Sequence, residues 1–520
     1  MPGSHGKRRI TGILTDHLQN IIMKRKSISI NFKGGVISPG ELLSIIKTIK
    51  AAGIAEVSFG LRQQLIVSAD QELMEDLEEG LQKKRIAYES LRHARPNVVS
   101  SYPAAEIFIK KSWLGEGVYK DVFDAIDYSP ALKVNICDSR QSLAPILTGN
   151  INWVASDAAH FWYLIVRFPK TNTVFQFPHL FYTSDLAQVS RRLEKLMLDP
   201  SGEFFNNEEV NGKNLDSQLM DGQHFISKTA ENDLVLPRFS LPYYEGFSRY
   251  QDKYWLGIYR RDEAFPVGFL YDLCAICLHT KIGQVCATPW KSLIVKGIEE
   301  KDKHYWDNLL AKHLINVRHA ANELNFQVED DCPQGLAIKQ KLVKFFSEDD
   351  TRTFGIAIGI KTRPKSEVFS SILIRQRSLF RWRDKGYFNR YDILIAKDYN
   401  PNERTAIKFA SGLPKFLLAE QARRAIIMFY RQKQSSLIVK ETRQEKPGVI
   451  SETNGHMVHQ CSACGTVYDP AVGDVAQGIA ANTSFMNLPV SYLCPLCEAG
   501  KEEFVARPMH VLINAMPQTR

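Results

Sequence analysis

The sequence predicts an α+β protein in which two duplicated halves precede a small metal-binding domain. Two observations carry this prediction: an internal repeat that aligns without a gap, and two Cys-x-x-Cys pairs near the C-terminus. A length of 520 residues predicts about two to four domains. The hydrophobic fraction of 44% and the aromatic fraction of 10% are typical of a folded globular protein.

Composition also bears on location and partners. No run of about 18 apolar residues occurs, so neither a transmembrane helix nor a membrane partner is expected. The N-terminal residues lack the apolar core of a signal peptide, and nine cysteines that include a four-cysteine motif suit a reducing cytoplasm. A net charge of +9 permits acidic partners but does not by itself indicate nucleic acid. The expectation is a cytoplasmic protein that does not bind nucleic acid.

After a polar arm at 1–27, the first copy of the repeat contains a well-specified helix. Ser38 can cap this helix, Pro39 fits its first turn, and Glu41 stands where a capping box needs it. Apolar residues at helical spacing form its buried face, and Gly53 ends it. The other elements predicted around it are strands at 28–32, 56–59 and 65–67 and a helix at 72–83.

The same unit recurs in the second half of the chain. Pro39–Val67 aligns with Val267–Val295 at a constant offset, and both copies end in Leu-Ile-Val. Most other core positions stay apolar, so duplicated halves are favoured over chance similarity. Cys274 and Cys277 resemble a metal or redox pair, but they fall on the apolar stripe of the first copy. They and the nearby Cys286 are therefore predicted to be structural residues of the core.

Outside the repeat, apolar periodicity predicts the remaining elements of both halves. Residues 200–232 are polar and acidic and are expected to form a loop. The polar, Lys- and Glu-rich residues 433–455 indicate a tether. Strands are predicted at 131–136, 161–166, 353–361 and 391–396, and helices at 183–198, 303–324, 334–347 and 414–431.

The strongest motif lies near the C-terminus. Cys461 and Cys464 form one Cys-x-x-Cys knuckle, and Cys494 and Cys497 form a second. Four thiolates at this spacing can share one tetrahedral centre, which suits iron or zinc. Unpaired core cysteines explain the spacing poorly. The motif predicts a metal site and leaves the choice between iron and zinc open.

The residues around the knuckles resemble rubredoxin over about 456–508. The resemblance implies one iron in the four-cysteine site and single-electron transfer, with zinc as the alternative metal. Rubredoxins usually have Trp where Tyr492 stands and Pro-Gly where Ala481-Asn482 stands, and Asn tolerates a left-handed backbone. The resemblance also implies a small aromatic core that consists of Tyr468, Phe485, Tyr492 and Phe504.

The duplicated region, about 28–432, resembles the siroheme-dependent sulfite and nitrite reductases. Arg62-Gln63 and Thr288-Pro289-Trp290 match the paired turns of that family. Asn97 and Lys133 match two further positions, although Pro96 replaces the family's arginine. The resemblance implies two ferredoxin-like half-domains and two α/β halves related by a pseudo-twofold axis. The predicted divisions are a first half at 28–250, a second half at 251–432, a linker at 433–455 and a rubredoxin-like domain at 456–508.

This second resemblance also implies sites for a tetrapyrrole and a small oxyanion. Arg62 and Lys133 are the candidate contacts, with an ordinary surface charge as the alternative for each. The family binds a four-iron cluster through four cysteines, but only Cys332 lies in the corresponding region. No 4Fe–4S cluster is therefore expected, and siroheme would have to be held by charge and stacking.

A basic stretch with interleaved aromatic residues lies at 375–390. A solvated charged face is the favoured interpretation, a flat anionic cofactor is the alternative, and no nucleic-acid motif accompanies the stretch. Its members are Arg375, Arg377, Phe380, Arg381, Trp382, Arg383, Lys385, Tyr387, Phe388 and Arg390.

The sequence leaves three functions open. The first is an electron-transfer protein, in which the iron domain exchanges electrons with a redox partner protein and the duplicated region is a degenerate reductase. The second is an oxidoreductase that retains siroheme or another tetrapyrrole. The third is an interaction protein with a structural zinc. Because the sequence identifies no catalytic residue, it does not decide whether the chain is an enzyme.

Overall fold

A computed structural model describes residues 25–444 and 457–508 except 110, 170, 172, 207–210, 318–319, 365–367, 383–384, 404, 463–464, 475–476 and 497. Only the backbone is described at 205–206, 379–382, 385–388, 435–444 and 508. Most of the predicted arm at 1–27 therefore lies outside the described residues. The chain divides into two compact units, Met1–Gln434 and Ser435–Arg520. We call the first unit the body and residues 457–508 of the second the C-terminal domain.

The described residues form helices in both halves of the body. In chain order they are α1 (Pro39–Ala51), α2 (Gln71–Lys83), α3 (Glu116–Ala125), α4 (Leu186–Leu198), α5 (Glu203–Asn206), α6 (Gly212–Met220), α7 (Val267–His279), α8 (Lys303–Lys312), α9 (Pro333–Glu348) and α10 (Leu418–Gln444). Within the described ranges, none of these helices has the length and apolarity needed to cross a bilayer.

The strands of the body are β1 (Arg25–Ile30), β2 (Val36–Ile37), β3 (Glu56–Phe59), β4 (Leu65–Asp70), β5 (Glu89–Ser90), β6 (Val99–Ser100), β7 (Val134–Asp138), β8 (Ile151–Ala155), β9 (Phe161–Arg167), β10 (Val174–Tyr182), β11 (Ser227–Thr229), β12 (Gly246–Tyr250), β13 (Lys253–Ile258), β14 (Phe265–Pro266), β15 (Val285–Ala287), β16 (Leu293–Ile298), β17 (Phe326–Val328), β18 (Ile358–Lys361), β19 (Ile372–Trp382), β20 (Lys385–Ala396) and β21 (Ala406–Leu413). The C-terminal domain contains β22 (Met457–Cys461), β23 (Val467–Tyr468) and β24 (Phe504–Pro508).

Two antiparallel sheets form the ferredoxin-like part of the body. Their strand orders are β14-β3-β4-β1-β5 and β12-β13-β16-β15-β2. Each sheet takes one edge strand from the other half, because β14 pairs with β3 and β2 pairs with β15. The helices α1 and α7 pack against each other, and both sheets share one apolar core. The exchanged strands and the shared core tie the two halves together.

Two mixed sheets form the α/β part of the body. In the first, β6, β7 and β8 are parallel, and β9, β10 and β11 continue the sheet antiparallel. In the second, β17, β18 and β19 are parallel, and β20 and β21 continue it antiparallel. The two sheets follow the same plan, so the duplication extends beyond the repeat visible in the sequence.

The structure confirms the predicted repeat. The helices α1 and α7 begin at the aligned residues Pro39 and Val267, and β4 and β16 begin at the aligned Leu65 and Leu293. The predicted N-cap is present, since Ser38 Oγ accepts a hydrogen bond from the backbone N–H of Glu41, while the Glu41 carboxylate accepts one from the hydroxyl of Ser38. These two bonds fix where α1 begins.

The turns and cysteines of the repeat also agree with its alignment. Gln63 and Lys291 occupy the same repeat position, and both have a left-handed backbone, with φ of 63° and 54°. Cys274 and Cys277 are fully buried in the core shared by the two ferredoxin-like sheets, and Cys286 is 1% exposed. The predicted place of these cysteines in the core is confirmed, and their structural role stays a prediction.

Three predicted segments differ from the structure. The helix expected at 303–324 ends at Lys312, because Leu314 has a left-handed φ of 52°. The loop expected at 200–232 contains α5, α6 and β11, and α6 buries Leu215 and Leu219 one helical turn apart. The acidic run beside α6 hid this short apolar stripe. Finally, α10 continues to Gln444 and so extends into the segment 433–455 predicted as a tether.

Candidate metal centre and body cleft

The C-terminal domain is built on a three-stranded antiparallel sheet in the order β23-β22-β24. Cys461 is the last residue of β22 and is paired with Phe504 of β24. Cys494 lies in the second knuckle, and both cysteines belong to one buried cluster. Each is only 1% exposed, so the sheet and the second loop place two of the four predicted ligands in a site shielded from solvent.

The two knuckles share one backbone geometry. In the first, the N–H of Gly465 donates to the carbonyl of Cys461 at 2.9 Å, and in the second the N–H of Glu498 donates to that of Cys494 at 2.9 Å. Gly465 and Glu498 both have a left-handed backbone, with φ of 77° and 61°. Cys464 and Cys497 lie outside the described residues. The described residues of both knuckles thus share one hydrogen bond and one left-handed position.

An aromatic core surrounds the site, as the sequence predicts. Tyr468 and Tyr492 are each 2% exposed, and Phe485 and Phe504 are 5% and 9% exposed. Tyr468 contacts Phe485 and Tyr492 at ring-centroid distances of 5.6 and 5.7 Å, and Phe485 lies 5.3 Å from Phe504. Asn482 has a φ of 65°, which confirms that it adopts the backbone usually given to glycine.

Sequence reasoning missed one aromatic partner, His459. Its ring stacks on Phe485 with 4.0 Å between centroids and 8° between planes. Burial lowers the pKa of His459, and the charge of Lys501 lowers it further, so the imidazole is neutral at pH 7. Alternation along β22 could have found this residue, because His459 and Cys461 lie on the same face of the strand.

The cysteines and their surroundings fit a bound metal ion. Thiolates need an environment that excludes water but supplies a cation, and a four-cysteine set provides a tetrahedral site for iron or zinc. Cys461 and Cys494 are buried in one cluster with four aromatic rings. The described part of the site can therefore contribute two thiolates to a metal ion in a surround of low polarity.

In the body, Arg62 and Lys133 line one cleft of about 470 Å³. Arg62 is 6% exposed, and its guanidinium is directed into the protein. Its Nη2 donates to the carbonyls of Asn97 at 2.7 Å and Val134 at 3.0 Å. The structure thus brings the two predicted contacts to the same cleft, while most of the hydrogen-bonding capacity of Arg62 holds the turn against β7.

Two carboxylates, Glu329 and Asp330, line the same cleft close to Cys332 in the sequence. Glu329 accepts hydrogen bonds from the N–H of Thr362 at 2.8 Å, from its hydroxyl at 2.6 Å, and from the N–H of Arg363 at 3.0 Å. Asp330 accepts from the N–H of Leu61 at 3.0 Å and from the amide of Gln64 at 3.0 Å. Protein groups therefore make the contacts that join the two halves at this point.

The cysteines of the body do not form a cluster site. Cys332 caps α9 by accepting from the N–H of Gly335, and its sulfur lies 3.2 Å from the hydroxyl of Thr362. Burial raises the pKa of the Cys274 thiol to about 12 and that of Cys286 to about 11, so both stay protonated. In the part of the chain that is described, no three metal-binding side chains converge. The four-iron cluster implied by the resemblance does not fit these residues.

The basic and aromatic stretch at 375–390 spans the hairpin of β19 and β20. Arg375 and Arg377 both contact Asp392, at 2.9 and 2.7 Å. The side chains of the other members from Phe380 to Phe388 lie outside the described residues. The first arginines of the stretch are thus anchored by a buried acid rather than freely solvated.

Comparisons with known proteins agree with this geometry. The profile of the rubredoxin family matches residues 458–504. Rubredoxin-2 of Chlorobaculum tepidum is 53% identical over 45 residues, which cover 9% of this chain and 86% of that protein. The high molecular weight rubredoxin of Moorella thermoacetica is 50% identical over 46 residues, 9% of this chain and 20% of that protein. The predicted resemblance of the C-terminal domain is confirmed, and it implies iron bound by cysteines and electron transfer.

A longer relative shows the same domain in another setting. The anaerobic nitric oxide reductase flavorubredoxin of Aliivibrio fischeri is 41% identical over 63 residues, 12% of this chain and 13% of that protein. The chain therefore spans only a small part of the longer relatives that it matches.

The body is similar in fold to a solved structure, the NirA protein of Mycobacterium tuberculosis. The match has a TM-score of 0.55 and covers 77% of this chain and 80% of that chain, at 12% sequence identity. At this identity the likeness concerns the fold alone, and it confirms the predicted fold class of the body. It does not extend to a cofactor or a reaction.

Proposed function

We propose that this chain, which belongs to the rubredoxin family through its C-terminal domain, is a single-electron carrier. The observation that carries the proposal is the pair of matching turns that bury Cys461 and Cys494 against an aromatic core. An iron ion in a four-thiolate site supplies one-electron transfer at that position. The proposed ligands are Cys461, Cys464, Cys494 and Cys497.

The side chains around the site have separate tasks in this proposal. Cys461 and Cys494 supply negative charge from two different loops, which fixes the loops relative to each other. Tyr468 and Tyr492 exclude water, and their hydroxyls donate to the carbonyl of Thr483 and to the carboxylate of Asp474. A dry and rigid surround needs little rearrangement when the charge of the site changes, and this favours fast electron transfer.

A redox partner protein is part of the proposal. Three apolar side chains near the second knuckle are exposed to solvent: Val490 at 95%, Leu493 at 45% and Leu496 at 72%. Leu496 lies between Cys494 and Cys497 in the sequence, so a protein that covers it approaches the sulfur atoms closely. Exposed apolar groups beside a buried site suit a transient docking surface. We place this activity in the cytoplasm, where thiolates stay reduced.

The body is not proposed to reduce sulfite or nitrite. The carboxylates of Glu329 and Asp330 accept hydrogen bonds from protein groups, and the cysteines of the body do not converge. The guanidinium of Arg62 already donates hydrogen bonds to backbone carbonyls of the protein. A tetrapyrrole would have to be held without a cluster and against two acidic side chains, so this alternative has less support than electron transfer.

The test is the metal content of protein purified without air and without added zinc. We expect a red protein with about one iron per chain, as a four-thiolate iron site requires. Cys494→Ser should abolish the colour, whereas Cys286→Ser in the body should leave colour and iron unchanged. Colourless protein with stoichiometric zinc would refute the electron-transfer role and support a structural zinc.

The partner surface has its own test. Leu496→Glu should leave the absorbance of the iron site unchanged, because the side chain is exposed. It should slow reduction by a flavoprotein rubredoxin reductase while reduction by dithionite stays the same. If the reductase reduces the variant as fast as it reduces the parent protein, docking at this surface is ruled out.

A further inference from the structure

A cationic groove lies in the second half of the body, at the carboxyl end of β18. Lys361 ends β18 and is the parallel neighbour of Arg375 on β19. Arg375 and Arg377 are alternate residues of one strand, so their side chains leave the same face. Together with Arg363 they line an open groove of about 490 Å³, and the described residues that line it include no acid.

The negative charge of Asp392, beneath this groove, neutralises only part of the positive charge of Arg375 and Arg377. Its carboxylate is fully buried and lies opposite Arg375 across the β19–β20 pair. Arg375 contacts it at 2.9 Å and Arg377 at 2.7 Å, and the N–H of Gly412 donates to it at 3.0 Å. The single negative charge of Asp392 is therefore shared by two guanidinium groups. The pair of arginines keeps a net positive charge.

The other two cations, Lys361 and Arg363, lie near one further carboxylate, that of Glu329, which accepts a hydrogen bond from the backbone N–H of Arg363 at 3.0 Å. The guanidinium of Arg363 donates to the backbone carbonyls of Asp330 at 3.1 Å and Asp331 at 2.6 Å. These carbonyls fix its position but carry no net charge. Partial burial lowers the pKa of Lys361, and the charge of Arg375 lowers it further against the opposing pull of Glu329. Such a lysine gains from an added negative charge.

We propose that this groove binds a compact polyanion that carries phosphate or carboxylate groups. Four cations against the two carboxylates of Asp392 and Glu329 leave an excess of about two positive charges, and a concave site concentrates the field that they produce. Guanidinium forks and a lysine ammonium are the donors that such anions require. A groove of about 490 Å³ has the size of a small-molecule site rather than of a protein interface.

This inference is independent of the electron-transfer function, because none of its residues belongs to the C-terminal domain. It also differs from the tetrapyrrole hypothesis, which rests on Arg62 and Lys133 in the neighbouring cleft. Arg363 lines both the groove and the cleft. A longer anion bound in the groove would therefore extend past the guanidinium of Arg363 towards the cleft.

The experiment is calorimetric titration of the full chain with pyrophosphate and, separately, with citrate at low ionic strength. We expect saturable binding of one anion per chain for at least one of the two probes. Lys361→Gln should weaken this binding about tenfold or more, because it removes a cation that forms no ion pair within 4 Å among the described residues. Arg377→Gln is the second variant, since its side chain is half exposed and Arg375 still covers Asp392. The preferred probe tells whether phosphate or carboxylate is the better ligand.

Lys83→Gln is the matched control. Lys83 lies on α2, its side chain is 73% exposed, and its loss changes the net charge by the same amount. Circular dichroism should show that all three variants are folded. The proposal is overturned if neither probe binds at about 1 mM. It is also overturned if Lys83→Gln weakens binding as much as Lys361→Gln, because the effect would then come from net charge alone.

Discussion

The buried charge cluster around Glu263 gives the sharpest test of the fold. Glu263 accepts from the ammonium groups of Lys291 and Lys339, both at 2.7 Å. All three side chains are less than 10% exposed, at 9%, 7% and 3%. Lys291 comes from the turn of the second repeat and Lys339 from α9, so one carboxylate joins two elements of the second half. The perturbation is Glu263→Gln, which keeps the shape and removes the charge.

The magnitude follows from the electrostatics of the cluster. Burial alone would raise the pKa of Glu263, but the charges of Lys291 and Lys339 overcome it and hold the pKa at about 2 instead of 4.5. The difference of 4.5 − 2, at about 1.4 kcal/mol per pH unit, is about 3 kcal/mol of stability. Removal of one member of a buried ion pair costs about 3–5 kcal/mol, so two lines of reasoning agree.

The pH dependence has a definite sign. The folded pKa of Glu263 lies below its ordinary value, so the unfolded chain binds the proton more readily. Its contribution is fully present above about pH 4.5 and is lost as the pH falls towards about 2. Glu263→Gln should therefore destabilise the body at pH 7 and flatten the loss of stability in this acidic window.

Urea unfolding followed by tryptophan fluorescence is a suitable assay, because all seven tryptophans lie in the body. Since a unit of this size can unfold in more than one step, the comparison uses the midpoint and slope of the transition that shifts. Adding Lys339→Met to Glu263→Gln should recover part of the loss, since an uncompensated ammonium is removed. The exposed Glu79→Gln is the control and should cause no shift. A loss below about 0.5 kcal/mol at pH 7, or parallel pH curves, would refute the reasoning.

Further predictions concern the cysteines, one tryptophan and the second knuckle. Replacing Cys274 and Cys277 together with Ala should lower the melting temperature but leave iron per chain unchanged, and loss of iron would show that they bind metal. Trp290→Phe leaves the carbonyl of Leu143 without its 2.7 Å donor, so urea unfolding should show a loss of about 1–3 kcal/mol. Glu498→Gly relieves a left-handed φ of 61° and should slow the release of iron to a chelator; faster release would contradict this.

The sequence was sufficient wherever a local pattern sets the structure. The N-cap that Ser38 forms with Glu41 depends on residues within one helical turn, so it could be predicted without the fold. The Cys-x-x-Cys knuckles are equally local, and their spacing predicted the metal site. The constant offset between the repeats placed Cys274 and Cys277 in the core, because aligned positions face the same side of equivalent helices.

The sequence did not predict the correct secondary structure where competing composition signals or unusual backbone angles determine it. The stripe of Leu215 and Leu219 was too short to stand out from an acidic neighbourhood. The helix at 303–312 ended early because Leu314 adopts φ of 52°, for which the residue type gives no warning.

Only the tertiary structure decided which groups meet across the chain. The exchange of β2 and β14 between sheets joins segments far apart in sequence, and no local pattern encodes it. The same holds for Glu329 and Asp330, whose carboxylates accept hydrogen bonds from Thr362 and Leu61. The resemblance to the reductases made Arg62 a candidate contact for an anion or a tetrapyrrole, and only the structure shows that its guanidinium donates to backbone carbonyls. Residue type gives a side chain its charge and hydrogen-bonding capacity, but the partner depends on packing, because burial requires each polar group to find one nearby.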